Sequence, residues 1–207
     1  MEKNKIYESL IYLDKEYISA KYEEISGIDP ITSITKTEGL NAGLKIPLLS
    51  AGASSIESKT YTISTNSMLA NIIDELNLIG KFDLQKHAIG QKSKIAWVEG
   101  TLSVAKVTSS KTKKTETIIG KPKESDGITT EKLAEERFFK IGGEDNLELA
   151  LITSPDYFSS GIDSFQSLLG TVVHQVNIPV KALVRVFSSK SAFDEWIACP
   201  LVIIEKS

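Results

Sequence analysis

KIAWVEGTLSVAKVTSSKTKKTETIIG, residues 94–120, is the stretch on which the reading of the fold turns. Ile95, Trp97, Leu102, Val104 and Val107 are spaced as a strand that is bent or bulged near Gly100, because a glycine inside a strand pattern marks a place where the ladder shifts. A Lys-rich turn follows, and Ile118 and Ile119 read as the returning strand of an antiparallel hairpin.

Downstream, Thr130 and the acidic run Glu131 to Glu136 have the composition of a capped first helical turn, where carboxylates meet the positive end of the helix dipole. Leu133, Ala134, Phe138 and Ile141 supply a buried side, so a helix is expected to end at Gly142-Gly143. Leu147 to Ile152 reads as a strand and Pro155 as a helix start, continued directly or after a break at Gly161 by an amphipathic helix whose apolar stripe is Phe165, Leu168, Leu169, Val172, Val173 and Val176. Ile178 to Phe187 is the strongest strand pattern in the chain. Phe193, Trp196 and Ile197 mark a short helix, and Leu201 to Ile204 a last strand.

Upstream, Met68, Leu69, Ile72, Ile73, Leu76 and Ile79 form one face of a helix opened by Ser64, Thr65 or Asn66 and closed at Gly80. Leu10 to Leu13 is a short apolar run, followed by a helix over Tyr17, Ile18, Tyr22 and Ile25 that Asp14 caps and Gly27 ends. Between these helices, Ile31 to Thr65 holds twelve Ser or Thr residues, three Gly and three Ala, without a sustained period. Connections in compact domains run about 4 to 6 residues, and structureless ones beyond roughly 12 to 15 are mostly functional or disordered. The expected architecture is a single α+β domain over 1–207, a mixed and largely antiparallel sheet with packed helices, with 28–65 a long hairpin or mobile excursion; α/β is the rival class.

The chain has 207 residues, 41% hydrophobic and 25% charged, the profile of a globular protein rather than a disordered one. Neither an apolar leader nor an uninterrupted apolar run of spanning length is evident, so a cytoplasmic location is expected. Cys199 is the single cysteine, which excludes an internal disulfide and reads as a small core residue. His87 and His174, the two histidines, have no ligand partners at metal spacing, so neither a zinc site nor any other cofactor is expected.

The net charge of -3 gives no general attraction to nucleic acid, and of 24 basic residues only Arg137 and Arg185 can offer the planar two-pronged grip on phosphate or base. Lys106 to Lys123 holds six Lys and one Glu but no aromatic to stack on bases, and reads as a solvated turn that discourages edge pairing. Three Ser-x-x-Lys matches, beginning at Ser33, Ser103 and Ser110, lack the companion motifs of penicillin-binding enzymes. The nucleophile elbow, the phosphate-binding Gly-rich loop and the dinucleotide fingerprint are all missing.

Ile11-Tyr12-Leu13-Asp14, the Ser and Gly-rich stretch after the first helix, and Trp97-Val98-Glu99-Gly100-Thr101-Leu102 together resemble a bacterial family of unknown function. The resemblance implies a small bacterial cytosolic protein of the kind encoded on mobile or phage-defence islands, and it implies no catalytic residues.

These readings converge on a non-enzymatic interaction or regulatory protein with a protein partner or self-association. Its expected partner surface is Tyr17, Tyr22, Leu40, Leu44, Leu48 and Tyr61, on the first helix and the excursion. A second reading is a small-molecule-binding enzyme or sensor with Asp14 at its site, since Asp14 ends a strand and ligands gather at the carboxyl ends of strands in open α/β sheets. A third is a membrane-perturbing effector that inserts a hairpin from 31–65, one face toward lipid and one toward water.

Overall fold

A computed structural model of the chain describes residues 9–38, 55–114, 128–159, 161–164, 176–191 and 194–206. The fold is mixed α+β but mostly β. It divides into two compact units, one spanning 1–8 and 14–79, the other 9–13 and 80–207.

In the first unit, α1 (Lys15–Ser26) starts where Asp14 accepts the Tyr17 amide at 2.9 Å and stops where Gly27, at φ 71°, returns its N–H to the Glu23 carbonyl at 2.8 Å. That left-handed turn suits a residue without Cβ. Helix α2 (Thr65–Asn77) is opened by Ser64, whose hydroxyl accepts the Ser67 amide at 3.2 Å. Met68, Leu69, Ile72, Ile73 and Leu76 form its buried stripe, and α1 packs on α2, burying Ile18 and Tyr22. Between the helices, β2 (Ile31–Glu38) pairs antiparallel with β3 (Ser55–Tyr61), from Ile31↔Tyr61 to Glu38↔Ser55. The two strands make a separate two-stranded sheet. Of the region expected as a long hairpin or mobile excursion, the paired legs are a hairpin; residues 39–54 lie outside the described residues.

The second unit is a barrel. Its strands are β1 (Leu10–Leu13), β4 (Lys94–Lys114), β5 (Ile128–Gly143), β6 (Glu148–Leu151), β7 (Ile178–Lys190) and β8 (Trp196–Glu205), in the order β1-β8-β6-β5-β4-β7. Because β8 also pairs β7, five strands close into a ring of β4, β5, β6, β8 and β7. All neighbours in that ring are antiparallel except β6 and β8, which run parallel through Leu149↔Trp196 and Leu151↔Ala198. Strand β1 lies on the same edge of β8 further along, Leu13 opposite Val202.

Closure depends on β4 serving two partners. Lys94 to Leu102 pair with β7, and Gly100 to Lys114 pair with β5. At the changeover Gly100 faces Gly143 and Thr101 faces Gly142, and a Cβ on Gly100 would collide with the Gly142 carbonyl. Side chains alternate across the barrel wall. Val98, Leu102, Phe139, Ile141, Leu149, Leu151, Val180, Ala182, Val184 and Ala198 are all buried in one core cluster. Each such large side chain contributes roughly 1.5–3 kcal/mol by leaving water. Phe158 packs on Phe139 with ring centroids 4.8 Å apart. Pro200 sits within β8 where the register shifts between Leu183↔Val202 and Val184↔Pro200, the kind of irregular position at which a strand tolerates proline.

Two expected helices are strands. Residues 130–141 belong to β5, whose inward residues are Phe139 and Ile141, two apart, with Lys140 between them facing out. The helical spacing of Ala134, Phe138 and Ile141 is overridden by fifteen backbone pairings to β4. Trp196 and Ile197 open β8 rather than a helix, since they complete the ladder to β6. The hairpin partner of β4 is therefore β5, while Ile118 and Ile119 lie outside the described residues, as do His174, Phe193 and the stripe from Phe165 to Val173. Pro155 opens a single 3-10 turn, Pro155–Tyr157.

Candidate functional site

Of the residues expected to act, Asp14, Tyr17, Tyr22 and Tyr61 are among the described residues. Asp14 spends one carboxylate oxygen on the Tyr17 amide, the local chemistry of a helix cap. Tyr22 is 6% exposed and Tyr17 half-buried, so neither ring is freely offered to solvent. Tyr61 ends β3, half-buried; burial and the nearby Glu16 push its phenol pKa up. Leu40, Leu44 and Leu48 lie outside the described residues. Cys199 is half-buried on β8 rather than deep in the core.

Two recesses lie on the barrel unit among the described residues. The first, about 630 Å³, runs along the start of β4, bounded by the segment from Lys81 to Gln85 and the turn from Glu144 to Leu147. Backbone bonds from Phe82 N–H to the Trp97 carbonyl, 2.8 Å, and from Trp97 N–H to the Gly80 carbonyl, 3.1 Å, lay that segment against β4. The opposing turn joins β5 to β6 with Asp145 at φ 56° and Asn146 at φ 59°, residues whose short polar side chains tolerate the left-handed region. Glu99 receives Lys206 at 2.7 Å and Lys81 at 2.9 Å. Those two ammonium groups hold its carboxyl down at about 2, Lys206 having the larger effect.

A second recess, about 530 Å³, shares Leu84 and Asn146 with the first and lies over β5, β6 and the β7–β8 turn. Lys140 of β5 meets Glu148 of β6 at 3.0 Å, and Lys190 meets Asp194 at 2.7 Å while its ammonium lies 5.2 Å from the Trp196 ring centre. Ser191 donates to Glu195 at 3.1 Å. Beneath, His87 sits edge-on to Trp196 and Phe82, with centroids 4.7 and 5.2 Å away, and its Nε2 lies 3.3 Å from the Phe187 carbonyl. Farther along the same wall, Phe138, Ala150 and Ile197 are half-buried, and Ile152 is 58% exposed.

The arrangement is suited to binding. In the second recess Lys140 pairs with Glu148 and Lys190 with Asp194, while Glu195 accepts from Ser191, and its apolar groups are shallow. Among the described residues no group of three or more His, Cys, Asp or Glu could hold a metal ion, and no helix is long and apolar enough to cross a membrane. Sequence reasoning missed this wall because the helical reading of 130–141 turned Lys140 away from Glu148; the one available signal was Phe139 and Ile141 alternating with Lys140. Comparison with protein-family models, with curated proteins and with solved structures finds no match.

Proposed function

We propose that this chain is a non-enzymatic interaction protein that holds a polypeptide partner on the outer wall of its barrel. The carrying observation is the connectivity. Counting only ring strands, neighbours run first, second, third, fifth, fourth, with the third and fifth parallel. This is the pattern of the OB-type barrel, whose second and third strands and adjoining loops form a ligand face. Here those strands are β5 and β6, and the last turn is Lys190 to Glu195, the elements that line the second recess.

Fold analogy gives the place and not the ligand, so the chemistry of the wall must supply that. A nucleic-acid backbone would need uncompensated cations, whereas Lys140 and Lys190 are each committed to a carboxylate. Mixed, paired charges beside half-buried Phe138, Ala150 and Ile197 match the apolar centre and polar rim of a protein contact. The bacterial, regulatory and defence-associated setting implied by the family resemblance belongs to this proposal and adds no residue to it.

The test is Ala150→Arg, placed between buried Leu149 and Leu151 and therefore on the outer wall. Quantitative pull-down from the native host should lose its enriched protein, with circular dichroism unchanged. An identical capture profile from the variant and the wild type refutes the wall as the partner surface.

A further inference from the structure

Beyond the barrel, β4 and β5 continue as a two-stranded ribbon. β7 accompanies β4 only to Leu102, and β6 accompanies β5 only from Lys140, yet β4 and β5 stay paired to Lys114↔Ile128. From Val107 to Lys114 and from Ile128 to Glu136 the outer edges have no ladder partner among the described residues. Eight strand residues reach roughly 25 Å at about 3.3 Å each. Such a ribbon is marginal alone in water, and its open N–H and C=O groups form a template for another strand.

The two edges differ in sign. Val107 to Lys114 contains Lys111, Lys113 and Lys114 and no carboxylate, whereas Ile128 to Glu136 contains Glu131, Glu135 and Glu136 against Lys132. Like charges on facing strands oppose pairing and opposite charges favour it. Two β4 edges therefore repel, two β5 edges repel, and a β4 edge is complementary to the β5 edge of another copy. The strand directions agree, since β4 of one copy beside β5 of the next continues the antiparallel alternation already present within each ribbon.

We infer that the chain associates with itself by ribbon pairing, β4 of one copy against β5 of the next. The contact joins two different surfaces, so each added copy leaves one edge of each kind open, and the product is a concentration-dependent series rather than a closed twofold dimer. The inference does not rest on the barrel wall as a partner site, and Ala150→Arg should leave it unchanged.

Sedimentation velocity over a concentration series tests it with the full-length chain. Wild type should form species larger than the monomer, diminished by high salt because salt screens the attraction between opposite charges on facing strands. Lys111→Glu with Lys113→Glu should be monomeric, as should Glu135→Lys with Glu136→Lys. An equimolar mixture should recover the larger species, because each variant then finds an edge of opposite sign. Thermal melts confirm that both variants are folded. A wild type monomeric at every concentration overturns the inference, as does a mixture of folded variants that fails to recover. Binding of a labelled single-stranded oligonucleotide, lost with the lysines and unaccompanied by self-association, would reassign the basic edge to nucleic acid and also overturn it.

Discussion

Replacing Gly100 by alanine asks whether the changeover of β4 from β7 to β5 is what closes the barrel. A Cβ built there runs into the Gly142 carbonyl oxygen and lies 2.9 Å from the Gly142 carbonyl carbon and 3.1 Å from the Gly143 Cα, all backbone atoms. No rotamer change can relieve them. The pair Gly100↔Gly143 must open, and with it neighbouring ladder bonds between β4 and β5. Two such bonds are worth about 1–3 kcal/mol together, at about 0.5–1.5 each. Overpacking strain adds about 1–3 kcal/mol, giving a loss of roughly 2–6 kcal/mol. For a chain of this size that corresponds to a fall in Tm of roughly 4–24 °C. Gly80→Ala is the control, because a Cβ there meets nothing within 4 Å and its φ is not in the left-handed region. It should be neutral or stabilise by about 0.4–1 kcal/mol through the unfolded chain. Urea unfolding followed by tryptophan fluorescence reports both, since Trp97 and Trp196 lie in the barrel unit. Equal midpoints for Gly100→Ala and wild type would refute the claim that close approach of β4 and β5 requires a glycine.

Two local predictions accompany it. Asp14→Ala removes the acceptor of the Tyr17 amide and should cost about 0.5–2 kcal/mol in urea unfolding, and a loss of that size without any change in partner capture assigns Asp14 to capping alone. Glu99 has its pKa lowered from 4.5 to about 2, so its contribution is present above pH 4.5 and lost as pH falls toward about 2. Glu99→Gln should therefore flatten the acid limb of a stability profile across that window. The effect should be small because both lysines are exposed and the carboxylate is only half-buried, so water screens the pairs, and an unchanged acid limb would count against the two-lysine clamp.

Alternative readings of the sequence fare unevenly against the geometry because their signals have different range. Helices α1 and α2 were legible, since a capping oxygen, an apolar stripe and, for α1, a terminal glycine act within a few residues of one another. The strands through Trp97 and at Ile178 were legible for the same reason, although the register of β4 on β5 shifts between Ser109 and Ser110 and runs unbroken through Gly100. Strand β5 was not, because its acidic, Ala and Leu-containing first half has helical propensity, and only the ladder to β4 outweighs it. The site on the barrel wall followed that error, since Lys140 meets Glu148 only when both lie on adjacent strands.

What the sequence determined alone is therefore local: two capped helices, the strand through Trp97, an apolar strand near the end, and a charge set poor in arginine. Tertiary structure decided the rest. The parallel pairing of β6 with β8, the return of β8 to β7, and the Lys206–Glu99 contact across 107 positions each join residues whose mutual attraction has no signature in either segment by itself. Ring closure satisfies strand edges that no segment can satisfy alone, while the ambiguous stretch 130–141 becomes a strand through its ladder to β4, joined by β6 only from Lys140 on.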